Sequence, residues 1–581
     1  MASHRLGMML VLLAVLPFLL HGIRRGEFLL NHDEQAHAIT GLYFADLFRD
    51  LPVTHLRAYT NVWYAHYPNL GILVWPPLFH LEEALFFPLF GPTAVTARLA
   101  VLAFVLFGLA FWFRLVNEIA GPYAAAAATF VLALLPHMLL FEQSAVLEIP
   151  LLALALAAIF YWLRYLRTGA ARPLLLFAFF AALTVLTKQN CVFIPVYCLL
   201  TLTFEKKLRW IATKAMLAAV AIVVVIAGPY LIVSTKLVHS FLGTDLARGM
   251  SFTSLATYVR YVRILPAQIT WPVLILSLIG LASWRWWCPA PCLSEERAGR
   301  AGALGVPSPA EREAGGVAQP HPAPRLSIES RRIALWIAAV YLTFLAIPHK
   351  ESRYVLYWAP AFVFFAAVPL CALRRSTARP ADAPRWAKRA AAPVLAALLL
   401  TCAVMGWRFA RPSISGYRAV ANAVVHLPRP AHAPAFVAFD GRYFGNFIFY
   451  TRALDPGRHW IVLRKLLYVT DVERAWGLRE LVHSPAQVRQ KLAAYGIRYV
   501  IVDNRPDLLP SERYLRAVLH QPPYRLIETF PIHANTPENQ GIVVSLYESP
   551  GASPPTARNL VLPMMTLDHS IIIPMNRLAL P

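Results

Sequence analysis

The chain has 581 residues, is 58% hydrophobic and only 15% charged, and its mean hydropathy is +0.52. That is too little polar surface for a soluble protein of this length, so the chain is expected to cross a membrane many times. Its 54 basic and 31 acidic residues give a formal charge of +23, which in a soluble protein would point to nucleic acid. Here the basic residues gather in loops between apolar runs, as the positive-inside rule predicts, and no nucleic-acid-binding motif is present.

Eleven apolar segments follow in order. Arg5 precedes the first, 6–20, and so keeps the N-terminus inside. This segment lacks a small-residue cleavage site and reads as a retained anchor. Residues 23–91 form a long loop on the outer side. Its Tyr64, Tyr67-Pro68 and Trp75-Pro76-Pro77 clusters suit the headgroup level. Further spans are predicted at 93–115, 122–140, 149–163 and 173–187, then one ending at Phe204, then 215–235, 264–284, 332–347, 354–373 and 391–408. On this count Arg164, Arg167 and Arg172 lie inside, as do Lys206, Lys207, Arg209 and Lys214, and the later run from Arg374 to Arg389. The stretch 285–331 has few bulky apolar residues and is expected to be disordered. Six cysteines give no disulfide framework, and the lone pair Cys288 and Cys292 is poor evidence for metal. No internal repeat is visible.

Beyond residue 410 the pattern changes. Strand-like runs at 435–439, 447–450, 460–463, 498–502 and 542–547 alternate with helical stretches such as 485–495. The expected fold class is thus a polytopic α-helical membrane protein of about eleven spans (1–409) carrying a C-terminal extracytoplasmic α/β domain (410–548). Residues 549–581, rich in proline, read as a loose tail.

Four groups on the predicted outer face carry chemistry. Asp33-Glu34 follows the first span; a carboxylate there can act as general base, with its neighbour orienting it. As ordinary structure the pair would cap an interfacial helix. Glu142 and Glu148 share one short loop, with Glu148 beside Pro150 at the head of a span. Lys188, at an outer span end, opposes the positive-inside trend; it either snorkels or meets a phosphate. His349-Lys350-Glu351-x-Arg353-Tyr354 packs two cations, a histidine and a carboxylate at a span boundary, a combination suited to phosphate. His32, His37, Tyr67, Glu142 and Tyr354 are candidates for sugar or acceptor contacts. A carboxylate base beside a cationic cradle, at a surface where a sugar can arrive on a polyprenyl phosphate, fits glycosyl transfer. Asp33 takes the acceptor proton, and Lys188, His349, Lys350 and Arg353 meet the leaving phosphate.

These motifs resemble those of the GT-C glycosyltransferases. His32-Asp33-Glu34 is similar to the acidic first-loop motif of protein O-mannosyltransferases and aminoarabinose transferases. His349-Lys350-Glu351-x-Arg353-Tyr354 is similar to the His-Lys-Glu-x-Arg-Phe motif of dolichyl-phosphate-mannose mannosyltransferases, with Tyr for Phe. Trp75-Pro76-Pro77-Leu78 and Leu147-Glu148-Ile149-Pro150 resemble softer signatures of bacterial members, where the second acid is often Asp; Glu148 departs from that. The resemblance covers roughly residues 1–410. It implies a lipid-linked donor, an outer-face site and often a C-terminal outer domain. The acceptor is expected to be a glycan, lipid or protein, and heavy Ala, Arg and Pro usage suggests a bacterium and hence its inner membrane. Some members use a divalent cation (Mg or Mn), which here would fall to Asp33 and Glu148, although no metal-ligand spacing supports it.

A transporter or flippase is the competing class. Such proteins place ionisable groups near the bilayer midplane, often within repeats, whereas here charge gathers at one face. A non-catalytic scaffold would leave the charged outer loops without a purpose.

Overall fold

The computed structural model describes residues 2–580 apart from 31–32, 73, 248–253, 284–321, 348, 376–383, 431–433, 471–476 and 565–568. His32, Cys288, Cys292 and most of the 285–331 stretch lie outside the described residues. Each of the eleven apolar segments falls on helix. By length and composition, six helices among the described residues can cross a membrane, or eight if each of two bent pairs counts as one span. The chain is a multi-pass membrane protein. The first eight helices are α1 (Ala2–Ile23), α2 (Asp33–Asp50), α3 (Leu56–His66), α4 (Leu78–Phe90), α5 (Ala94–Ala120), α6 (Pro122–Ala133), α7 (Pro136–Glu142) and α8 (Glu148–Thr168). One bent pair is α6 and α7, which meet at 71°. Pro136 explains the break: it cannot donate to the preceding turn, and it pushes Leu135 into extended backbone.

Buried Trp112, Trp162, Trp336 and Trp358 fill the bundle. α5 and α8 approach closely because Gly108 has no side chain: a Cβ there would come 2.8 Å from the Ala153 Cα. The helix Pro322–Leu345 begins ten residues before the predicted span. Polar residues enter its buried part because Glu329 is paired with Arg332 at 2.7 Å and with Arg167 at 3.3 Å.

The C-terminal domain is built on a five-stranded sheet ordered β3-β2-β6-β9-β7. Its strands are β2 (Ala435–Asp440), β3 (Trp460–Leu463), β6 (Tyr499–Asp503), β7 (Arg525–Pro531) and β9 (Val543–Glu548). Short strands β1 (Ile414–Ser415) and β8 (His533–Ala534) pair with each other, as do β4 (Tyr468–Thr470) and β5 (Leu478–Glu480). β2, β3 and β6 run parallel. They are buried along their whole length, as expected of parallel strands covered on both faces.

Two expectations are corrected here. The run 447–450, read as a strand, lies inside the helix Phe444–Leu454. Every residue from Gly445 to Arg452 is buried, so the apolar run carries no period to separate helix from strand. The supposed loose tail contains a hairpin, β10 (Asn559–Met564) paired with β11 (His569–Pro574). Leu560, Leu562 and Ile573 pack into the domain core, an alternation that the prolines around it concealed.

The 23–91 segment and the C-terminal domain are clamped together. Glu27 accepts the amides of Tyr417 and Arg418 at 3.0 and 2.9 Å, capping the helix Tyr417–Val425. Asp46 binds Arg452, and Asp50 binds Arg458. The Asn446 amide closes on both backbone groups of Phe28, at 3.0 and 2.8 Å. Gly445 lets the helices touch: a Cβ there would meet the Gln35 Cβ at 2.5 Å. Alanine normally favours a helix over glycine, but at this position Gly445→Ala is expected to destabilise by about 1–3 kcal/mol. A fall in the melting temperature of the purified protein checks this.

Candidate active site

α2 starts at Asp33, directly after the loop that leaves the first span. Successive residues on a helix point about 100° apart, so Asp33 and Glu34 face different surroundings. Asp33 is partly open, with 23% of its side chain exposed, and accepts a hydrogen bond from the Arg353 guanidinium. Glu34 is fully buried. It accepts the amides of Leu29, Leu30 and Ala145 at 3.0–3.1 Å and pairs with Arg98 at 3.2 Å. Burial alone would raise its pKa, but Arg98, Arg411 and these amides hold the carboxyl below its usual value. Glu34, expected to be catalytic, is therefore fully buried among structural partners. Arg98 completes the knot by donating to the carbonyls of Ile23, Arg25, Gly26 and Glu27 at 2.8–3.1 Å.

Arg353 lies on the 3₁₀ turn Ser352–Trp358. Its guanidinium meets three carboxylates: Asp33, Glu351, and Glu148, whose Oε1 is 3.6 Å away. Glu148 opens α8, is 1% exposed, and binds the Lys188 ammonium at 2.5 Å. The chain of contacts is thus Lys188–Glu148–Arg353–Asp33. A branch runs from Arg353 through Glu351 to His349, at 2.9 Å, and to the Tyr354 hydroxyl, at 3.4 Å. His37 lies one turn beyond Asp33 on α2. Its Nδ1 is 3.0 Å from the His80 Nε2, and its ring centroid lies 4.3 Å from that of Trp75. Burial, the His80 ring and the charges of Lys188 and Arg353 push its pKa well below the usual value, so the imidazole is neutral.

Three expected residues sit elsewhere. Lys350 turns away from the cluster and donates to the carbonyls of Phe344 and Leu345 at 2.7 Å and Ile347 at 2.5 Å. It caps the helix before it, where carbonyls lack intrahelical partners, and burial brings its pKa down to about 8. Glu142 points into the bundle beside Phe104, Gly108 and Leu152, because the bend at Pro136 turns α7 inward. Tyr67 is buried against Trp63, at 5.0 Å, in the core shared with the C-terminal domain. Arg98 and His80 were missed. A lone arginine inside an apolar span was the available signal for Arg98; nothing local marks His80.

Among the described residues no group of three or more His, Cys, Asp or Glu side chains is placed to hold a metal ion. Asp33 and Glu148, the expected pair, are bridged by one guanidinium nitrogen of Arg353.

The sequence profile of the dolichyl-phosphate-mannose-protein mannosyltransferase family matches residues 75–233, well under half of the chain. Two solved structures of ArnT from Cupriavidus metallidurans are similar over nearly the whole length. The one bound to undecaprenyl phosphate superposes with a TM-score of 0.57 at 14% identity, covering 94% of this chain and 99% of that one. The apo form gives 0.52 at 15%, covering 93% and 97%. No curated protein sequence matches the chain. At such low identity the likeness shows the fold alone: the helical bundle with its C-terminal domain is similar to that of the ArnT structures.

Proposed function

We propose that the chain is a GT-C membrane glycosyltransferase that moves a sugar from a polyprenyl-phosphate donor to a hydroxyl on a glycan, lipid or protein acceptor. The observation that carries this reading is the junction of Asp33 with Arg353, 320 positions apart, flanked by Glu148 and Lys188. A carboxylate able to take a proton sits against cations able to hold a leaving phosphate.

Asp33 takes the acceptor's hydroxyl proton as that oxygen bonds to the anomeric carbon. The bond from that carbon to the phosphate oxygen breaks, and its electron pair leaves with the lipid phosphate. A single displacement inverts the anomeric centre. In the free protein Lys188 and Arg353 are spent on three carboxylates, Asp33, Glu148 and Glu351. A donor phosphate therefore competes with Asp33 for the Arg353 guanidinium. Once the phosphate holds Arg353, the Asp33 carboxylate is open to the acceptor, so donor binding uncovers the base. Lys350 supports the loop from behind, and His349 and Tyr354 hold Glu351 in place.

Counted from the sequence as eleven spans with an inside N-terminus, the chain would keep every strongly basic loop in the cytoplasm. That count supports an extracytoplasmic face for Asp33 and the C-terminal domain. Lys188→Ala is expected to raise the donor KM by about 10-fold or more, the scale of one charged hydrogen bond; initial rates against donor concentration check it. The reading itself is tested with purified protein, radiolabelled polyprenyl-phosphate sugars and a membrane glycan and lipid extract. Labelled product of opposite anomeric configuration is expected. Movement of labelled donor across vesicles without transfer would make the chain a flippase instead.

A further inference from the structure

The C-terminal domain holds a second charged crevice that the reaction above does not use. From β2 the chain passes through the helix Phe444–Leu454 to β3 on one side, while β6 lies against the other side of β2. The connections leave in opposite directions between β2 and β6. In open α/β sheets ligands bind in the crevice outside the carboxyl ends of the strands at such a switch point. Here those ends carry Asp440-Gly441-Arg442, Arg464-Lys465 and Asp503-Asn504-Arg505. Glu512 and Arg516 reach in from the helix Pro510–Leu519.

The carboxylates are fully engaged. Asp503 meets Arg505 at 2.8 Å, Arg442 at 3.1 Å and Arg516 at 3.7 Å. Asp440 meets Arg516, and Arg505 at 3.8 Å; Glu512 meets Arg505 at 3.0 Å. Arg464 is left over. Among the described residues no carboxylate pairs with it, and its guanidinium carbon stacks 3.4 Å above the Phe444 ring. Stacking on an aromatic face leaves the guanidinium fork free for a planar or phosphate oxyanion. Lys465 stands beside it, 5.5 Å over the Tyr64 ring of the 23–91 segment. Arg442 is bonded to Asp503 through Nε and is 30% exposed. Five cations therefore meet three carboxylates at a crevice that is partly open. Tyr443, between Arg442 and Phe444, has φ 51°, a strained conformation for a bulky residue and typical of functional loops. The helix that Phe444 opens touches α2 through Gly445, against Gln35, two positions from Asp33, and also lies against Asn69.

We infer that this crevice binds an oxyanion, a phosphate or carboxylate group carried by the acceptor, with Arg464, Arg442 and Lys465 as its ligands. The inference rests on the transferase reading for the word acceptor alone; the anion site stands or falls by itself. An anionic group held there anchors the acceptor at the helix that abuts α2, from which its hydroxyl extends toward Asp33.

The test titrates inorganic phosphate, and separately methyl glucuronide, into the full-length detergent-solubilised protein by calorimetry, at about 0.05 and 0.3 M salt. Saturable binding that weakens with salt is expected for wild type and equally for Asp33→Asn. Arg464→Gln is expected to bind at least about 10-fold more weakly. Arg464→Lys, which keeps the charge but loses the stacked fork, is expected to bind between wild type and the Gln variant, so the gap between the two variants reports charge rather than packing. Whichever probe binds names the anion. In transfer, Arg464→Gln raises the acceptor KM with kcat and donor hydrolysis unchanged. Binding indifferent to Arg464→Gln, or no saturable binding of either probe, overturns the inference. Binding retained in a protein that never transfers sugar sinks the transferase reading and leaves the site standing.

Discussion

Asp33→Asn is expected to lower the rate of sugar transfer by about 10²–10⁴-fold, the usual contribution of a positioned general base. The substitution keeps the size of the side chain and an oxygen that can accept from Arg353, but it removes the group that takes a proton. Stability should barely change, because the pair it weakens is partly exposed to solvent, and such pairs contribute about 0–1 kcal/mol. Donor affinity should hold or improve, since a phosphate no longer competes with a charged carboxylate for Arg353. Initial rates with labelled donor, together with the donor KM, separate the two effects. A variant that kept a tenth or more of its rate would move the base to Glu148 or Glu351, which touch the same guanidinium.

Arg98→Ala is expected to cost roughly 3–5 kcal/mol, the scale for breaking a buried ion pair from one side. Arg98 and Glu34 are fully buried, and the arginine also serves four carbonyls of the 23–27 turn. Alanine leaves the buried carboxylate with only the more distant Arg411, at 3.7 Å, and leaves those carbonyls without donors. Glu34→Gln should cost less, because the amide oxygen still accepts from Leu29, Leu30 and Ala145 and Arg98 keeps its four carbonyls, although Arg98 and Arg411 lose their counter-ion. The measurement is the yield of folded protein and its melting temperature in detergent. If Arg98→Ala folds as well as Glu34→Gln, the knot is not what holds the loop. Activity does not replace this readout, since a loosened loop would also misplace Asp33.

The positions of the helices were legible because apolar length and basic punctuation are local properties. So was the meeting of Asp33, Glu148, Lys188 and Arg353, since charge at a membrane edge is costly unless it is used. The assignment of neighbours was not legible. Asp33 and Glu34 read alike until a helix turns one outward and the other into the protein. Lys350 and Arg353 read alike until one of them caps a helix. Glu34 gains its role from Arg98, Ala145 and Arg411, which are 64 to 377 positions away in the chain, and nothing in the local pattern announces such partners. The helix through 447–450 was hidden for a related reason: burial on all sides erases the periodicity that separates helix from strand.

The clamp formed by Glu27, Asp46, Asp50 and Asn446 bears on how this protein can be taken apart. The span between residues 409 and 410 looks like a natural cut, yet Arg452 and Arg458 have their carboxylates on α2, and the helix Tyr417–Val425 is capped from Glu27. Expressed alone, residues 410–581 would lose the Asp46 and Asp50 carboxylates that bind Arg452 and Arg458. A chimaera that grafts this region onto a relative's helices must bring residues 23–91 with it. Engineers exchanging acceptor preference should therefore treat the two sequence-distant pieces as a single cassette.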